Sequence, residues 1–122
     1  MADEHAPDVI VDFVFEKGLF HIAIINIGDA SAYRVSVTFN HEIKGLGGSK
    51  AVSKMALFQK IEFMPPQKRI ATFLDTSNSY FKQQQPTDIE TTIKFNDSQG
   101  KGYKNIIKHN LNIYKDIGYI TG

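Results

Sequence analysis

The sequence predicts an all-β domain, built as a Greek-key sandwich of about seven antiparallel strands. Apolar and polar residues alternate along several short segments, which is the period of a β-strand rather than of a helix. Turn-forming residues separate these segments every ~8 to 15 residues, as in sandwich folds. With 122 residues, 42% of them hydrophobic, the chain can bury one core. We therefore expect a single domain over residues 1–122, with its core within about residues 8–114 and flexible ends.

The first two predicted strands form a hairpin. Residues 9–15 are β-branched and aromatic, which suits a strand. Residues 20–25 carry apolar side chains on both faces, so this segment is expected to be a central strand. Glu16-Lys17-Gly18 supplies the turn between them, because glycine tolerates positive φ.

Three further segments follow the hairpin. Apolar and polar positions alternate in residues 33–39, which indicates a half-buried third strand. Residues 40–53 are rich in glycine and are expected to form an irregular loop. Residues 57–63 are predicted to be a short strand, which Pro65-Pro66 ends because proline lacks the amide that a β-ladder needs.

The C-terminal half repeats this pattern of strands and turns. Residues 69–74 and 88–95 are predicted strands, and the Tyr80-Phe81 pair in the loop between them is expected to plug one end of the core. A turn at residues 96–102 leads to the last strand, residues 103–114, whose second half has the stronger pattern. Five residues on the apolar sides of the strands are predicted to lie in the core: Ile24, Val37, Phe73, Ile93 and Leu111.

Four residues are predicted to have structural roles at strand ends and turns. Asn26 lies at the end of the second strand, where its amide can satisfy loop backbone groups that would otherwise be buried without partners. Gly28 then lets the chain leave the strand. Asp97 supplies a turn-forming side chain, and Gly100 supplies the left-handed residue that closes the final hairpin.

Composition excludes several classes of protein. The sequence contains no cysteine, which excludes disulfide frameworks, thiolate metal sites and cysteine nucleophiles. No stretch approaches the ~18 consecutive apolar residues of a membrane span, and residues 1–5 do not resemble a secretory signal. We expect no membrane insertion by this chain, which is either cytoplasmic or the soluble domain of a larger anchored protein.

Charge gives little indication of a nucleic-acid partner. The formal net charge is +1, too close to neutral for an electrostatic footprint. Residues 1–42 hold seven acidic and two basic side chains, whereas residues 43–122 hold six acidic and twelve basic ones. Because strands from both halves interleave in a sandwich, we expect a mixed, solvated surface rather than a basic binding face, and no nucleic-acid binding.

No constellation in the sequence indicates catalysis, a metal ion or a cofactor. The four histidines are too scattered for a metal-ligand spacing. Residues 45–50 lack the spacing of a phosphate-binding loop, and residues 75–78 supply one acid where a calcium loop has several. No serine lies in the sequence context that would activate it. We expect no catalytic residue, no metal and no cofactor.

Several short motifs, in order along the chain, resemble a known family. Ile22-x-Ile24-x-Asn26-x-Gly28 and Ala32-x-x-Val35-x-Val37 are similar to the signature of bacterial CARDB-like and related immunoglobulin-like modules. The Pro65-Pro66 corner, where the family usually has Pro-Gly, and Phe95-x-Asp97-x-x-Gly100-Lys101-x-Tyr103 are similar to a turn and the final hairpin of such domains. The resemblance covers about residues 8–114. It implies an all-β, immunoglobulin-like Greek-key β-sandwich of about seven antiparallel strands, often found as an adhesion or interaction unit of anchored bacterial proteins.

These features favour a non-catalytic protein-interaction module with an unidentified protein partner. Such modules bind with an exposed sheet face or by adding a strand to a sheet edge. We expect a monomer or a weak homodimer. The predicted edge is one face of the strand over residues 57–63, formed by Leu57, Gln59, Ile61 and Phe63.

Two alternative functions stay open. Small bacterial immunoglobulin-like domains also resemble intracellular proteinase inhibitors, in which case residues 44–54 or 78–86 would present a loop to an enzyme. Weak nucleic-acid binding is the other alternative, and it requires four lysines to share one face with an aromatic residue. Those residues are Lys60, Lys94, Lys104 and Lys108, with Tyr103 or Tyr114.

Overall fold

The computed structural model describes residues 5–117, which form two antiparallel β-sheets packed against a common core. The outermost residues of the ends that were expected to be flexible, 1–4 and 118–122, lie outside the described residues. Within residues 5–117, seven strands have four or more residues, so the all-β class is confirmed. They are β1 (Val9–Glu16), β2 (Leu19–Asn26), β3 (Ala32–Phe39), β6 (Ile61–Met64), β7 (Arg69–Thr76), β8 (Asp88–Asn96) and β9 (Gly102–Asn110). The connections contain two-residue strands, β4 (Lys44–Gly45) and β5 (Lys50–Ala51), and two helices, α1 (Ala56–Gln59) and α2 (Ser77–Lys82).

The two main sheets differ in size and order. The three-stranded sheet has the order β1-β2-β7, and the four-stranded sheet has the order β6-β3-β8-β9. Lys17 and Gly18, with φ values of 52° and 80°, form the two-residue turn between β1 and β2. A turn with positive φ at both residues matches the right-handed twist of the strands that it joins. The predicted N-terminal hairpin is therefore confirmed.

Buried apolar side chains from both sheets form the core between them. Ile24 of β2, Val37 of β3 and Ile93 of β8 are each at most 5% exposed. Leu111, which follows β9, is 1% exposed. These four core predictions are confirmed.

The core prediction for Phe73 is wrong, because its side chain is 37% exposed. Phe73 pairs with His21 of β2, which puts both side chains on the outer side of the three-stranded sheet. The next residue, Leu74, is fully buried in its place. A shift of one residue moves every side chain of a strand to the other face, and β7 has apolar residues in both alternating sets.

The segment predicted as a strand over residues 57–63 is a helical turn followed by a strand. Met55-Ala56-Leu57-Phe58-Gln59 consists mostly of strong helix formers. Phe58 is fully buried, with its ring centroid 5.1 Å from that of Phe39 in β3. The prediction that four residues share one strand face is therefore wrong. Leu57 and Gln59 belong to α1, and Ile61 and Phe63 belong to β6.

The last strand ends earlier than predicted. β9 stops at Asn110, whose side-chain oxygen accepts a hydrogen bond of 3.0 Å from the backbone amide of Asn112. Leu111–Tyr114 then forms a 3-10 turn instead of the second half of a strand. Asparagine side chains compete with the β-ladder for backbone groups, which explains why the strand stops here despite its alternating pattern.

Two connections are more ordered than predicted. The loop over residues 40–53 contains the β4-β5 hairpin. Helix α2 begins where the Thr76 hydroxyl accepts a hydrogen bond of 3.1 Å from the Ser79 amide. Tyr80 is fully buried and Phe81 packs against the core, so this aromatic pair plugs one end of the sandwich as predicted. Within residues 5–117, no helix is long and apolar enough to cross a membrane.

Candidate functional site

Asn26 connects three parts of the chain through its fully buried amide. Its Oδ1 accepts hydrogen bonds from the backbone amides of Asp8 and Gly28, at 3.2 and 3.0 Å. Its Nδ2 donates to the carbonyl oxygens of Ala30 and Met64, both at 2.9 Å. All the donors and acceptors of this amide are therefore used, and they hold the start of β1, the β2–β3 loop and the end of β6 together.

Gly28 lies where two backbone segments approach each other closely. A Cβ at this position would stand 2.4 Å from the carbonyl oxygen of Ala6 and 2.6 Å from the amide nitrogen of Asp8. Neither backbone atom can move without displacing the start of β1. The position therefore requires a residue without a side chain.

Asp97 and Gly100 form the turn between β8 and β9. The carboxylate of Asp97 accepts hydrogen bonds of 2.9 Å from the amides of Gln99 and Lys101, and one of 3.1 Å from the Tyr103 hydroxyl. Desolvation raises the pKa of Asp97, but the hydrogen bonds outweigh it and hold this pKa below its usual value. Gly100 has a φ of 84°, in the left-handed region.

The residues predicted to form an interacting edge are only partly brought together. β6 lies at one edge of the four-stranded sheet and holds Ile61 and Phe63. The Phe63 side chain is 50% exposed, and its ring centroid lies 5.3 Å from that of Tyr33 in β3. Leu57 and Gln59 are on α1 and contribute nothing to this edge.

A largely apolar surface covers the outer side of the three-stranded sheet. Val14 lies opposite His21, and His21 lies opposite Phe73, with the His21 and Phe73 ring centroids 5.5 Å apart. Leu19 and Phe73 are each 37% exposed. We call this surface the apolar face, and its residues are Ile10, Val14, Leu19, His21, Ala23, Ile25, Ala71 and Phe73.

Charged residues lie at opposite edges of the apolar face. Asp12 and Glu16 are exposed on β1, and Arg69 is exposed on β7, opposite Ile25. The sequence had indicated that β2 is apolar on both faces, which is the signal for this surface. It gave no signal that Phe73 belongs to the surface, because β7 could have been placed with either face inward.

The outer side of the four-stranded sheet carries a basic surface. Lys94 of β8 lies opposite Lys104 of β9, and Lys108 lies further along β9 on the same side. Arg34 projects at a bulge in β3. We call these four residues the basic face. Acidic residues share this side, because Glu90 of β8 lies directly opposite Lys108, so the surface of this sheet is mixed as expected and its basic residues are concentrated around Lys94 and Lys104.

The arrangement required for nucleic-acid binding is only partly present. Three of the four lysines share the basic face, but Lys60 precedes β6 and forms an ion pair of 3.0 Å with Glu62. Tyr103 stacks on the core residue Phe95 with a centroid distance of 5.5 Å. Tyr114 stacks on Phe15 at 5.0 Å, at one end of the sandwich.

A polar depression of about 340 Å³ lies beside the β3–β4 connection. Glu42 forms ion pairs there with Lys54 at 2.7 Å and Lys44 at 3.6 Å. The hydrogen bond and charge of Lys54 lower the pKa of Glu42. The Ser53 hydroxyl accepts a hydrogen bond of 2.9 Å from the Ile43 amide. These groups are engaged with one another, which favours a structural role for the cluster.

The four histidines lie in four different environments. Within residues 5–117, no group of three or more histidine, aspartate or glutamate side chains is arranged to hold a metal ion. Each histidine has a separate neighbour: His5 lies beside Asp29, His21 beside Phe73, His41 beside Glu42 and His109 beside Thr91.

No curated protein and no solved structure matches the chain. A family model described as a domain of unknown function, DUF8453, matches residues 1–115. Since this match covers nearly the whole sequence, the chain belongs to the DUF8453 family.

Proposed function

We propose that the chain is a non-catalytic protein-interaction module with an immunoglobulin-like Greek-key fold. The strand order supports this fold. Counted without the two-residue strands, the first, second and fifth strands form one sheet, and the third, sixth and seventh lie in the other, as in immunoglobulin sandwiches. The fourth strand, β6, lies beside β3 instead of joining the first sheet. The motifs similar to CARDB-like modules point to the soluble domain of a larger or anchored bacterial protein.

The apolar face is the observation that carries the proposed function. A sheet that is exposed on one side normally has polar residues there. Here isoleucine, alanine, valine, leucine and phenylalanine side chains surround His21 in the middle strand of the outer side. A contiguous apolar surface rimmed by charged residues is typical of a protein interaction site.

The occupant that best fits the apolar face is a second copy of it. If two copies pack about a two-fold axis parallel to the strands, β1 of one copy lies over β7 of the other. The acidic edge with Asp12 then comes near the basic edge with Arg69 of the second copy, and the same contact occurs twice. In this arrangement the face is thus complementary to itself in charge.

The size of the apolar face limits the strength of this association. Three strands spaced ~4.8 Å apart and four residue rows ~6.8 Å apart make a surface of roughly 400 Å². A standard interface buries about 800 Å² on each partner. A dimer formed by this face alone is therefore weak and concentration-dependent.

The geometry favours this function over proteinase inhibition. The first candidate inhibitor loop, residues 44–54, is tied to the sandwich, because the amides of Leu46 and Gly47 donate to the Leu74 carbonyl and the Asp75 carboxylate, both at 3.0 Å. The second candidate loop, residues 78–86, is largely helix α2. The first segment is thus fixed to β7 and the second is mostly helical, whereas a protease binds an extended loop.

Sedimentation velocity over a concentration series, from about 10 μM to about 1 mM, tests the proposed function. We expect the wild-type protein to sediment faster as its concentration rises. Phe73→Glu should remain monomeric, because a carboxylate in the contact would be desolvated without a partner. Ala71→Glu changes a second exposed position of the same face and should have the same effect.

Phe63→Glu is the matched control, since Phe63 is also an exposed phenylalanine on a strand but lies at the β6 edge. It should associate like the wild type. Circular dichroism shows that each variant is folded. A wild-type protein that stays monomeric, or folded Phe73→Glu and Ala71→Glu variants that associate normally, would contradict the proposal. Loss of association in Phe63→Glu alone would assign the contact to the sheet edge instead.

A further inference from the structure

The lysines of the basic face are arranged at a cost to the fold. Lys94 and Lys104 are directly opposite each other in the β8–β9 pairing. Like charges in such cross-strand pairs destabilise a sheet. The ion pairs that the structure shows for His5, Lys44, Lys54 and Lys60 do not involve these lysines.

Arg34 joins these lysines because of a β-bulge. Between the pairs Tyr33–Asn96 and Ser36–Lys94, β3 has one residue more than β8. The bulge leaves Arg34 exposed and returns Val35 to the core. Arg34 has a φ of 49°, in the left-handed region that residues with bulky side chains rarely adopt. Bulges frequently redirect a side chain next to a functional site.

The three cations surround a surface depression of about 390 Å³. Arg34, Lys94 and Lys104 line it together with Asn96 and Tyr103. The Tyr103 ring is held by its stacking on Phe95, and its hydroxyl donates to Asp97. The volume lies in the lower range of small-ligand sites, which is about 300–1,000 Å³.

We propose that this depression binds a phosphate group, either free or as the monoester of a small organic molecule. Three positive charges surround one depression. A ligand with a single carboxylate would balance only one of them, whereas a phosphate carries nearly two negative charges at neutral pH. The planar guanidinium of Arg34 can donate two parallel hydrogen bonds to phosphate oxygens. The anion offsets the repulsion between Lys94 and Lys104, so the same charges that weaken the empty sheet stabilise the bound state.

The shape of the site favours a small ligand over an extended polyanion. The cations converge on a single depression, and the aromatic residues named in the nucleic-acid alternative do not lie along the face as a row of stacking platforms. This site is on the opposite sheet from the apolar face and does not depend on the proposed self-association.

Titration of the ¹⁵N-labelled full chain, followed by NMR, tests the proposal. The probes are inorganic phosphate, phenyl phosphate and succinate, each added at constant ionic strength maintained with sodium chloride. We expect saturable shifts of the backbone amides of Arg34, Lys94, Asn96 and Lys104 with both phosphates. Tighter binding of phenyl phosphate would assign the site to monoesters, and equal binding would assign it to free phosphate.

Arg34→Gly is the most informative variant because its two expected effects have opposite signs. Glycine accepts the left-handed backbone, so the melting temperature should rise. Loss of the guanidinium should weaken phosphate binding roughly tenfold. Lys104→Gln should likewise raise the melting temperature, by removing the repulsion with Lys94, and should weaken binding to a similar degree.

Lys108→Gln is the matched control, since Lys108 lies on the same face but outside the depression. It should change the phosphate affinity less than twofold. Shifts that do not saturate, binding of succinate as tight as that of phosphate, or equal losses in all three variants would overturn the proposal. So would unchanged phosphate affinity in folded Arg34→Gly and Lys104→Gln.

Discussion

Gly28 and Gly100 are each required for a different structural reason. The reason for Gly100 can be recognised from the sequence, and the reason for Gly28 cannot. Gly100 adopts a φ of 84°, and its requirement can be read from the turn residues around it. Gly28 is required because its backbone meets that of Ala6 and Asp8. That contact joins residues about 20 positions apart, and local pattern does not predict it. Asn26 is similar, since its bond to the Met64 carbonyl spans 38 positions.

Gly100→Ala should lower the free energy of unfolding by about 1 kcal/mol. A Cβ at this position meets no atom within 4 Å, so the cost comes from the left-handed backbone alone. Gly102→Ala is a suitable control, because its Cβ would make an ordinary contact of 3.6 Å with the Asn96 side chain and its φ is not positive. Urea denaturation of both variants checks this prediction. Equal stability of the two variants would contradict it.

Among the elements, the long strands with clear alternation were predictable and the short or ambiguous ones were not. β1, β2, β3 and β8 lie where the period-two pattern and the flanking turns put them. The segment around α1 was misjudged because four apolar residues in a row fit a strand and a helical turn equally well. The inward packing of Phe58 decides between them, and this is a tertiary contact with β3.

Phe58→Ala should destabilise the protein by about 3–5 kcal/mol, as expected when a fully buried phenylalanine is truncated. Phe63→Ala, at the half-exposed position in β6, should cost less than about 1.5 kcal/mol, mainly through its contact with Tyr33. In a continuous strand over residues 57–63, these two side chains would lie on opposite faces with the costs reversed. Chemical denaturation of both variants tests the helical turn, and a larger loss for Phe63→Ala would refute it.

At the scale of the whole molecule, the uneven charge of the sequence is only partly kept in the fold. β1 and β2, from the acidic part of the chain, lie in the three-stranded sheet, whereas β8 and β9, from the basic part, lie in the other. The strands interleave at two places, since β7 from the later part joins β1 and β2, and β3 from the earlier part joins β6, β8 and β9. The apolar face and the basic face therefore lie on opposite sides of the sandwich.

Contacts between the two sheets at the β1–β9 side hold these faces back to back. The Asn105 amide of β9 donates to the Val9 carbonyl and to the Asp8 carboxylate, both at 2.8 Å. Further along, the His109 ring packs edge-on against Phe13 of β1, with a centroid distance of 4.8 Å. These contacts link residues about 100 positions apart, and no pattern in the sequence predicts them.

The inter-sheet position of His109 leads to a pH dependence of stability. Desolvation lowers the pKa of His109, and the negative charge of Asp12 opposes this only in part. The unfolded chain, with a histidine pKa of about 6.5, therefore binds more protons than the folded protein as the pH falls through that value. The contribution of His109 is fully present above about pH 6.5 and is lost progressively below it.

We expect the melting temperature of the wild type to decrease between about pH 7 and pH 5 more steeply than that of His109→Gln, because the variant lacks this titration. Asp12→Asn should make the decrease steeper than in the wild type, since it removes the charge that favours protonated His109. Thermal denaturation of the three proteins at constant ionic strength provides the measurement. Because carboxylates titrate in all three, only the differences between the curves report on His109. Parallel curves would mean that His109 is protonated as readily in the folded sandwich as in the unfolded chain.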